Sequence, residues 1–200
     1  MICKSLESFV TATHGAAVWD GVRRQAGLSA SGFEAMLSYE DRQFGEALQA
    51  ASTALHVSPT QLLEDIGTWI CTHPPLAPVR RLFRFSGTTF RDLLMSLDEI
   101  DARARMAVPE LELPVYHLSE IGKAEFEVQS TWCMPGASGL MTGALRAMAD
   151  DYGVLAMIEA ETAHRFTGGW LETVSIRLVD EDFHVPKAFS LGGQHDGSVA

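Results

Sequence analysis

Hydrophobic residues in the first half of the chain recur every three or four positions, which is the period of an amphipathic helix. This spacing predicts helices at residues 2–13, 17–26, 41–55 and 88–108. A further helix is expected to begin at Ser58-Pro59, because serine caps helices and proline fits their first turn. It is expected to stop at His73-Pro74-Pro75, where a proline-marked connection begins.

The second half of the chain changes to the two-residue period of half-buried strands. Strands are predicted at residues 115–121, 124–130, 154–162 and 170–179. The Gly122-Lys123 and Gly168-Gly169 dipeptides are predicted to join them in hairpins, and residues 136–150 are predicted to be helical. Helices followed by hairpins indicate an α+β fold: an N-terminal helical subdomain, then a four-stranded antiparallel sheet with a packed helix.

One domain is predicted over residues 1–182, with a helical part at about 1–109 and a sheet part at about 114–182. Pro109 and Pro114 mark the change between the two parts. Residues 183–200 contain several glycines and no periodicity, so they are predicted to form a poorly ordered tail.

Composition and charge narrow the function classes. Hydrophobic residues make up 46% of the 200 residues, which is enough for a core, and the net charge of −11 disfavours nucleic-acid binding. The N-terminus lacks a signal-peptide pattern, and no apolar run is long enough to span a membrane. The three cysteines are far apart and form no CxxC pair, so reduced thiols and a cytoplasmic location are expected.

Four segments together resemble one known family. They are HGAAVWDGVRRQAGL at residues 14–28, VSPTQLLEDIGTWI at 57–70, FRDLLMSLDEIDARARMAVPELELP at 90–114 and FEVQSTWCMPGASGLMTGA at 126–144. In order and spacing they resemble the haem-nitric oxide/oxygen-binding (H-NOX) sensor family. The resemblance implies that N-terminal helices and a C-terminal sheet enclose a cofactor site. It also implies a signalling partner, such as a histidine kinase or a cyclic-dinucleotide enzyme.

The residues that bind haem in that family are replaced here. The family's Leu-Asp-x-(Val/Ile)-His pattern, whose histidine is the iron ligand, ends in Asp101. Its Tyr-x-Ser-x-Arg signature, which binds the haem propionates, corresponds to Val128, Ser130 and Trp132, and Pro114 is a further position that matches the haem site. A lone carboxylate is a poor proximal ligand, and tryptophan cannot replace the planar charged fork of arginine.

Several interpretations of these positions remain open at this point. Asp101 is interpreted as a solvent-facing residue paired with Arg105, or alternatively as part of an altered polar ligand site. Trp132 is interpreted as a packing residue rather than a stacking platform for a ligand. The alternative iron ligands with the best positions are His117, on a predicted strand, and His73, before the two prolines.

No other motif carries chemistry. Cys71 and His73 give only two metal ligands, whereas zinc sites use three or four. There is no phosphate-binding glycine loop and no catalytic constellation, so no enzyme activity is predicted. The leading hypothesis is a regulatory domain that binds a small apolar ligand or a protein. No haem is expected as its cofactor. The alternative is a haem-based gas sensor with an unconventional iron ligand.

Overall fold

The computed structural model describes residues 2–34, 37, 39–100, 102–103, 113–161 and 163–187. Within these residues, a group of helices precedes an antiparallel sheet on which one long helix packs, so the predicted α+β fold is confirmed. None of the helices in these ranges is both long and apolar enough to cross a membrane.

The first four helices form as their sequence patterns predict. They are α1 (Ile2–His14), α2 (Ala16–Gln25), α3 (Asp41–Leu55) and α4 (Pro59–Thr72). Ser58 begins α4 as predicted, because its hydroxyl accepts a hydrogen bond from the Gln61 amide over 3.1 Å. Their apolar stripes meet in a helical core whose fully buried members include Leu6, Val10, Val22, Ala47, Ala51, Leu62 and Ile66.

The connection predicted after His73 is wrong in part, because it contains a helix. A 3₁₀ turn (Pro74–Leu76) leads into α5 (Ala77–Arg84). No residue of this helix is fully buried, so its sequence lacks the apolar stripe of a core helix. Its Phe83 side chain packs half-buried against the core, and the ion pair between Arg80 and Asp151 fixes the helix further.

The predicted long helix over residues 88–108 is also wrong in part, because it breaks after Met95. Helix α6 (Phe90–Met95) is followed by a 3₁₀ turn at Leu97–Glu99. The Ser96 amide and hydroxyl both donate to the Leu93 carbonyl, over 3.1 and 2.7 Å. This bonding to the third residue before it tightens the backbone and ends the α-helical ladder. Residues 104–108 lie outside the described part of the chain.

In the described part of the chain, the sheet has five strands instead of the predicted four. They are β1 (Val115–Gly122), β2 (Glu125–Trp132), β3 (Leu155–Ala160), β4 (His164–Phe166) and β5 (Gly169–Asp180). Their order is β1-β2-β5-β3, all antiparallel, and the short β4 also pairs with β5. Strand β4 is only three residues long with all three exposed, so it leaves no alternating pattern in the sequence.

Helix α7 (Ala137–Tyr152) joins the two parts of the fold. One face packs on the sheet through Met141, Leu145 and Met148. The opposite face lies against α4 so closely that a Cβ atom built on Gly143 would overlap the Glu64 carbonyl oxygen. The Thr68 hydroxyl donates to the Gly143 carbonyl across this contact, over 3.2 Å. The helical part is therefore fixed to the sheet part by backbone contact between two helices.

A charged side chain covers each edge of the sheet. At β1, the Asp98 carboxylate accepts a hydrogen bond from the outward-facing Leu118 amide over 2.7 Å. At β3, the Arg146 guanidinium donates to the Ile158 carbonyl over 2.7 Å. Arg146 also pairs with Glu64, with 2.6 Å between nitrogen and oxygen. Both contacts use backbone groups that would otherwise be open to another strand.

The segment that follows β5 returns to the end of α7. The His184 amide donates to the Gly153 carbonyl over 3.1 Å, and the Lys187 amide donates to the Asp151 carbonyl over 3.0 Å. These contacts belong to the first residues of the predicted tail, and residues 188–200 lie outside the described part of the chain. The domain boundary at 182 and the poorly ordered tail remain predictions.

The cysteines are expected to differ sharply in reactivity. None of the three forms a disulfide, and Cys133 is exposed. Cys71 is buried, and burial, with the Asp151 charge nearby, raises the pKa of its thiol to about 12. At pH 8 we expect iodoacetamide to modify Cys133 roughly a thousandfold faster than Cys71 in the folded protein, because the thiolate is the nucleophile.

Peptide mapping by mass spectrometry over a time course would measure this difference, with Cys133→Ser as the control that removes the fast site. Equal rates at the two positions in folded protein would contradict the expectation.

Candidate functional site

The three signature positions lie on one face of β2. Alternate residues of a strand point to the same side of a sheet, so Val128, Ser130 and Trp132 all face the layer that holds α7. Val128 and Ser130 are buried, and Trp132 is half-buried. Pro114, just before β1, is buried as well. Among the three positions, Ser130 offers a hydroxyl and Trp132 an indole N–H, but none carries a positive charge that would pair with an anion.

Three polar residues form a row across the sheet at Ser130. In the strand register, Ser130 of β2 lies between Tyr116 of β1 and Glu172 of β5. The Ser130 hydroxyl donates to the Glu172 backbone carbonyl over 3.2 Å. Burial, followed by the Glu172 charge, raises the pKa of the half-buried Tyr116 hydroxyl. The row therefore places a buried carboxylate residue beside Ser130.

The Glu172 carboxylate binds the N-terminus of α7. Its Oε1 accepts a hydrogen bond from the Gly136 amide over 2.6 Å. Its Oε2 accepts from the Ser138 amide over 2.7 Å and from the Ser138 hydroxyl over 2.6 Å. Glu172 is only 2% exposed, so this is an internal anion held by free helix amides and by the helix dipole.

The turn before α7 is built for this contact. Gly136 has a φ of 113°, which an L side chain rarely adopts. A Cβ atom there would also overlap the Cδ1 methyl of Leu63 on α4. The backbone can therefore turn its amides inward only because this position is glycine.

Sequence reasoning missed Glu172, although the chain carries a signal for it. Val174, Ile176 and Leu178 are the buried, alternating residues of β5, and Glu172 continues the same series. An acidic residue on the buried side of a strand needs a partner, because an unpaired buried charge is costly. The alternation identifies the anomaly, but only the register and the position of α7 identify the partner.

Residues 1–159 match the family model described as Haem-NO-binding. The chain belongs to this family. Solved H-NOX structures share its fold. A variant of the T. tengcongensis H-NOX has a TM-score of 0.73 at 12% identity and covers 90% of this chain and 97% of its own. An H-NOX from S. oneidensis in an Fe(II) ligation state has a TM-score of 0.73 at 18% identity and covers 90% and 96%.

A third structure, an oxygen-binding H-NOX domain related to soluble guanylate cyclases, has a TM-score of 0.67 at 13% identity. It covers 94% of this chain and 98% of its own length. At such identities the likeness establishes the H-NOX fold. Glu172 lies in the part of that fold that follows the segment matched by the family model.

Asp101, which the sequence pattern predicts to occupy the position of the family's iron ligand, lies outside the described residues, as does Arg105. Its described neighbours show where this segment runs. Asp98 binds the β1 edge, and Ile100 packs half-buried against the core beneath the sheet. The interpretation of Asp101, as a surface residue or as part of an altered ligand site, stays a prediction.

Neither alternative histidine belongs to the Ser130 row: His117 follows Tyr116 on β1 but lies on the opposite face of the sheet, and His73 lies at the end of α4. The His117 side chain is 70% exposed, and its Nδ1 is 3.6 Å from an Asp98 carboxylate oxygen. His73 caps the C-terminus of α4, where its ring stacks on Trp69 with 4.5 Å between centroids. Neither is brought together with Val128, Ser130 and Trp132. Within the described residues, no group of three or more metal-ligating side chains is assembled.

A second buried polar cluster lies at the other end of α7. Asp151 is 3% exposed and receives a two-pronged contact from Arg80, with Nε at 3.1 and 3.0 Å from its two oxygens. The Arg84 Nε lies 3.9 Å from the same carboxylate, and its guanidinium lies 3.9 Å above the Tyr152 ring. The Tyr152 hydroxyl donates to the Gly87 carbonyl over 3.0 Å. This cluster fixes α5 and the loop after it to the end of α7.

Proposed function

We propose that this chain is a regulatory H-NOX domain that does not bind haem in the usual way and acts in signalling through a small ligand or a protein partner. The observation that carries the proposal is the chemistry around Ser130. Val128 and Trp132, which flank it on the same face, carry no charge, and the nearest ionised group on its row is the Glu172 carboxylate.

Haem does not suit this donor set. Its two propionates are anions, and their usual grip in the family includes an arginine. Here the position of that arginine is tryptophan, which offers one N–H and no charge. The amides at the start of α7 are already bonded to Glu172, and a second carboxylate beside it would meet like-charge repulsion.

The iron side of the site supports the same proposal. The sequence has Asp101 where the family has its proximal histidine, and a carboxylate is a weaker ligand for haem iron than imidazole. His117 is largely exposed, and His73 is stacked on Trp69. A sensor that used either residue would need a different haem position from the one that the Ser130 face implies.

Family membership supports a signalling role without catalysis by this domain. We therefore propose a partner of the histidine-kinase or cyclic-dinucleotide-enzyme class. The surface that would contact such a partner is a separate question from the cofactor.

A haemin titration of the purified protein tests the proposal. We expect the absorbance to rise without a stoichiometric break and to show no sharp Soret band that responds to nitric oxide. A variant that restores the family residues, Asp101→His with Val128→Tyr and Trp132→Arg, serves as the matched comparison and is expected to bind haemin more tightly than the native chain.

A one-to-one Soret band that shifts with nitric oxide in the native protein would overturn the proposal. The chain would then be a gas sensor with an unconventional ligand. The variants His117→Ala and His73→Ala would show whether either histidine holds the iron.

A further inference from the structure

The Glu172 carboxylate occupies an anion-binding arrangement that is complete without any outside molecule. It receives three hydrogen bonds of 2.6 to 2.7 Å, two of them from amides at the first turn of α7. Helix amides at this position have no partner within their own helix. The carboxylate therefore satisfies donors that would otherwise be buried and unpaired.

The location of this carboxylate links it to the signature. Glu172 is the cross-strand partner of Ser130, and the Ser130 hydroxyl bonds to the Glu172 carbonyl. The same β5 residue thus contacts the signature strand through its backbone and α7 through its side chain. The acidic residues of β2, Glu125 and Glu127, lie on the opposite face of the sheet from α7.

We propose that Glu172 is a built-in positioning ligand: its carboxylate takes the place that a cofactor carboxylate would take beside Ser130, and it holds α7 on the sheet without a cofactor. The inference rests on the proposed function, because the carboxylate can replace that of a cofactor only if haem is not bound in the usual way. A chain that relies on its own carboxylate keeps α7 docked permanently. It also excludes carboxylate-bearing ligands from this end of the site, since the donors are in use.

Replacing Glu172 with alanine removes the equivalent of one acetate ion, because alanine retains only the Cβ atom. We expect the thermal midpoint of Glu172→Ala to fall by about 8 °C. Added acetate, at constant ionic strength maintained with chloride, is expected to raise it again in a saturable way, as for a ligand that binds the folded state. Glu159→Ala, an exposed position on β3, is the matched control and should show neither effect.

Glu172→Gln separates this role from ordinary packing. Glutamine fills the space but brings N–H donors against N–H donors, so its midpoint should fall and should not respond to acetate. If Glu172→Ala does not fold in chloride, the yield of folded protein on refolding in acetate replaces the midpoint as the measurement. An acetate effect that is equal in the native protein and all variants, or absent from Glu172→Ala, would overturn the proposal.

The acetate experiment contains no haem, so its outcome is independent of the haemin titration. Rescue by acetate together with stoichiometric haem uptake would remove the proposed function and the exclusion of carboxylate-bearing ligands, and would keep only the role of Glu172 in holding α7. If acetate does not rescue Glu172→Ala and no haem is taken up, the positioning role would be overturned and the proposed function would stand.

Discussion

Gly143→Ala is expected to lower the free energy of unfolding by about 3 kcal/mol, because its methyl group would overlap the backbone of α4. A Cβ atom at this position would collide with the carbonyl of Glu64, and backbone cannot move aside as a flexible side chain can. Separating the helices would also lengthen the hydrogen bond from Thr68 to the Gly143 carbonyl. Urea denaturation followed by circular dichroism would measure the loss.

Gly45→Ala is the matched control for this prediction. Gly45 lies in α3, and nothing stands within 4 Å of a Cβ built on it. Alanine there should stabilise the helix by roughly 0.5 to 1 kcal/mol, since glycine loses more backbone freedom on folding. If Gly143→Ala proved as harmless as Gly45→Ala, the close contact between α4 and α7 would be incorrect.

Removal of the Asp151 carboxylate should have an effect of similar size. Asp151→Ala removes the carboxylate that the Arg80 and Arg84 guanidinium groups contact at the end of α7, where Arg84 is largely buried. Breaking a buried pair by removing one partner typically costs about 3 to 5 kcal/mol, and the partial exposure of Arg80 places the expectation at about 3 kcal/mol. Thermal and urea unfolding would both report this change.

Asp150 provides the comparison one residue earlier. Its side chain is 57% exposed, and it pairs with Lys187 and His184 on the surface. The hydrogen bond from Lys187 lowers the pKa of this carboxyl group, but solvent screens such a pair. Asp150→Ala should therefore cost less than about 1 kcal/mol. Equal losses for the two variants would show that the buried cluster does not hold α5 in place.

The elements that sequence reasoning predicted are those whose signals are local. Helix α4 begins at Ser58 because the serine cap and Pro59 act within one turn, and β2 alternates because one of its faces is buried. Helix α5 escaped prediction because Arg80 is fixed by Asp151, 71 residues away in the sequence. The break at Ser96 escaped prediction because it depends on whether Ser96 bonds to the carbonyl three residues earlier, as it does, or to the carbonyl four residues earlier, as in an α-helix.

The residues of the candidate site also differ in whether local sequence signals could identify them. The signature comparison located Val128, Ser130 and Trp132, and the structure places all three on one face of β2. Glu172 could not be assigned a role in this way, because it depends on the register between β2 and β5 and on the turn at Gly136. The one clue in the sequence was its place in the alternating series that continues with Val174, Ile176 and Leu178.

Arg146 of α7 also protects the β3 edge of the sheet, and this role is separate from the candidate site. The guanidinium that covers the Ile158 carbonyl is carried by α7 and is tied to α4 through Glu64. Without this contact, the outer backbone of β3 would be open to pairing with a strand of another molecule. Variants that loosen the docking of α7 are therefore expected to expose this edge of β3 and to aggregate more readily than the native chain.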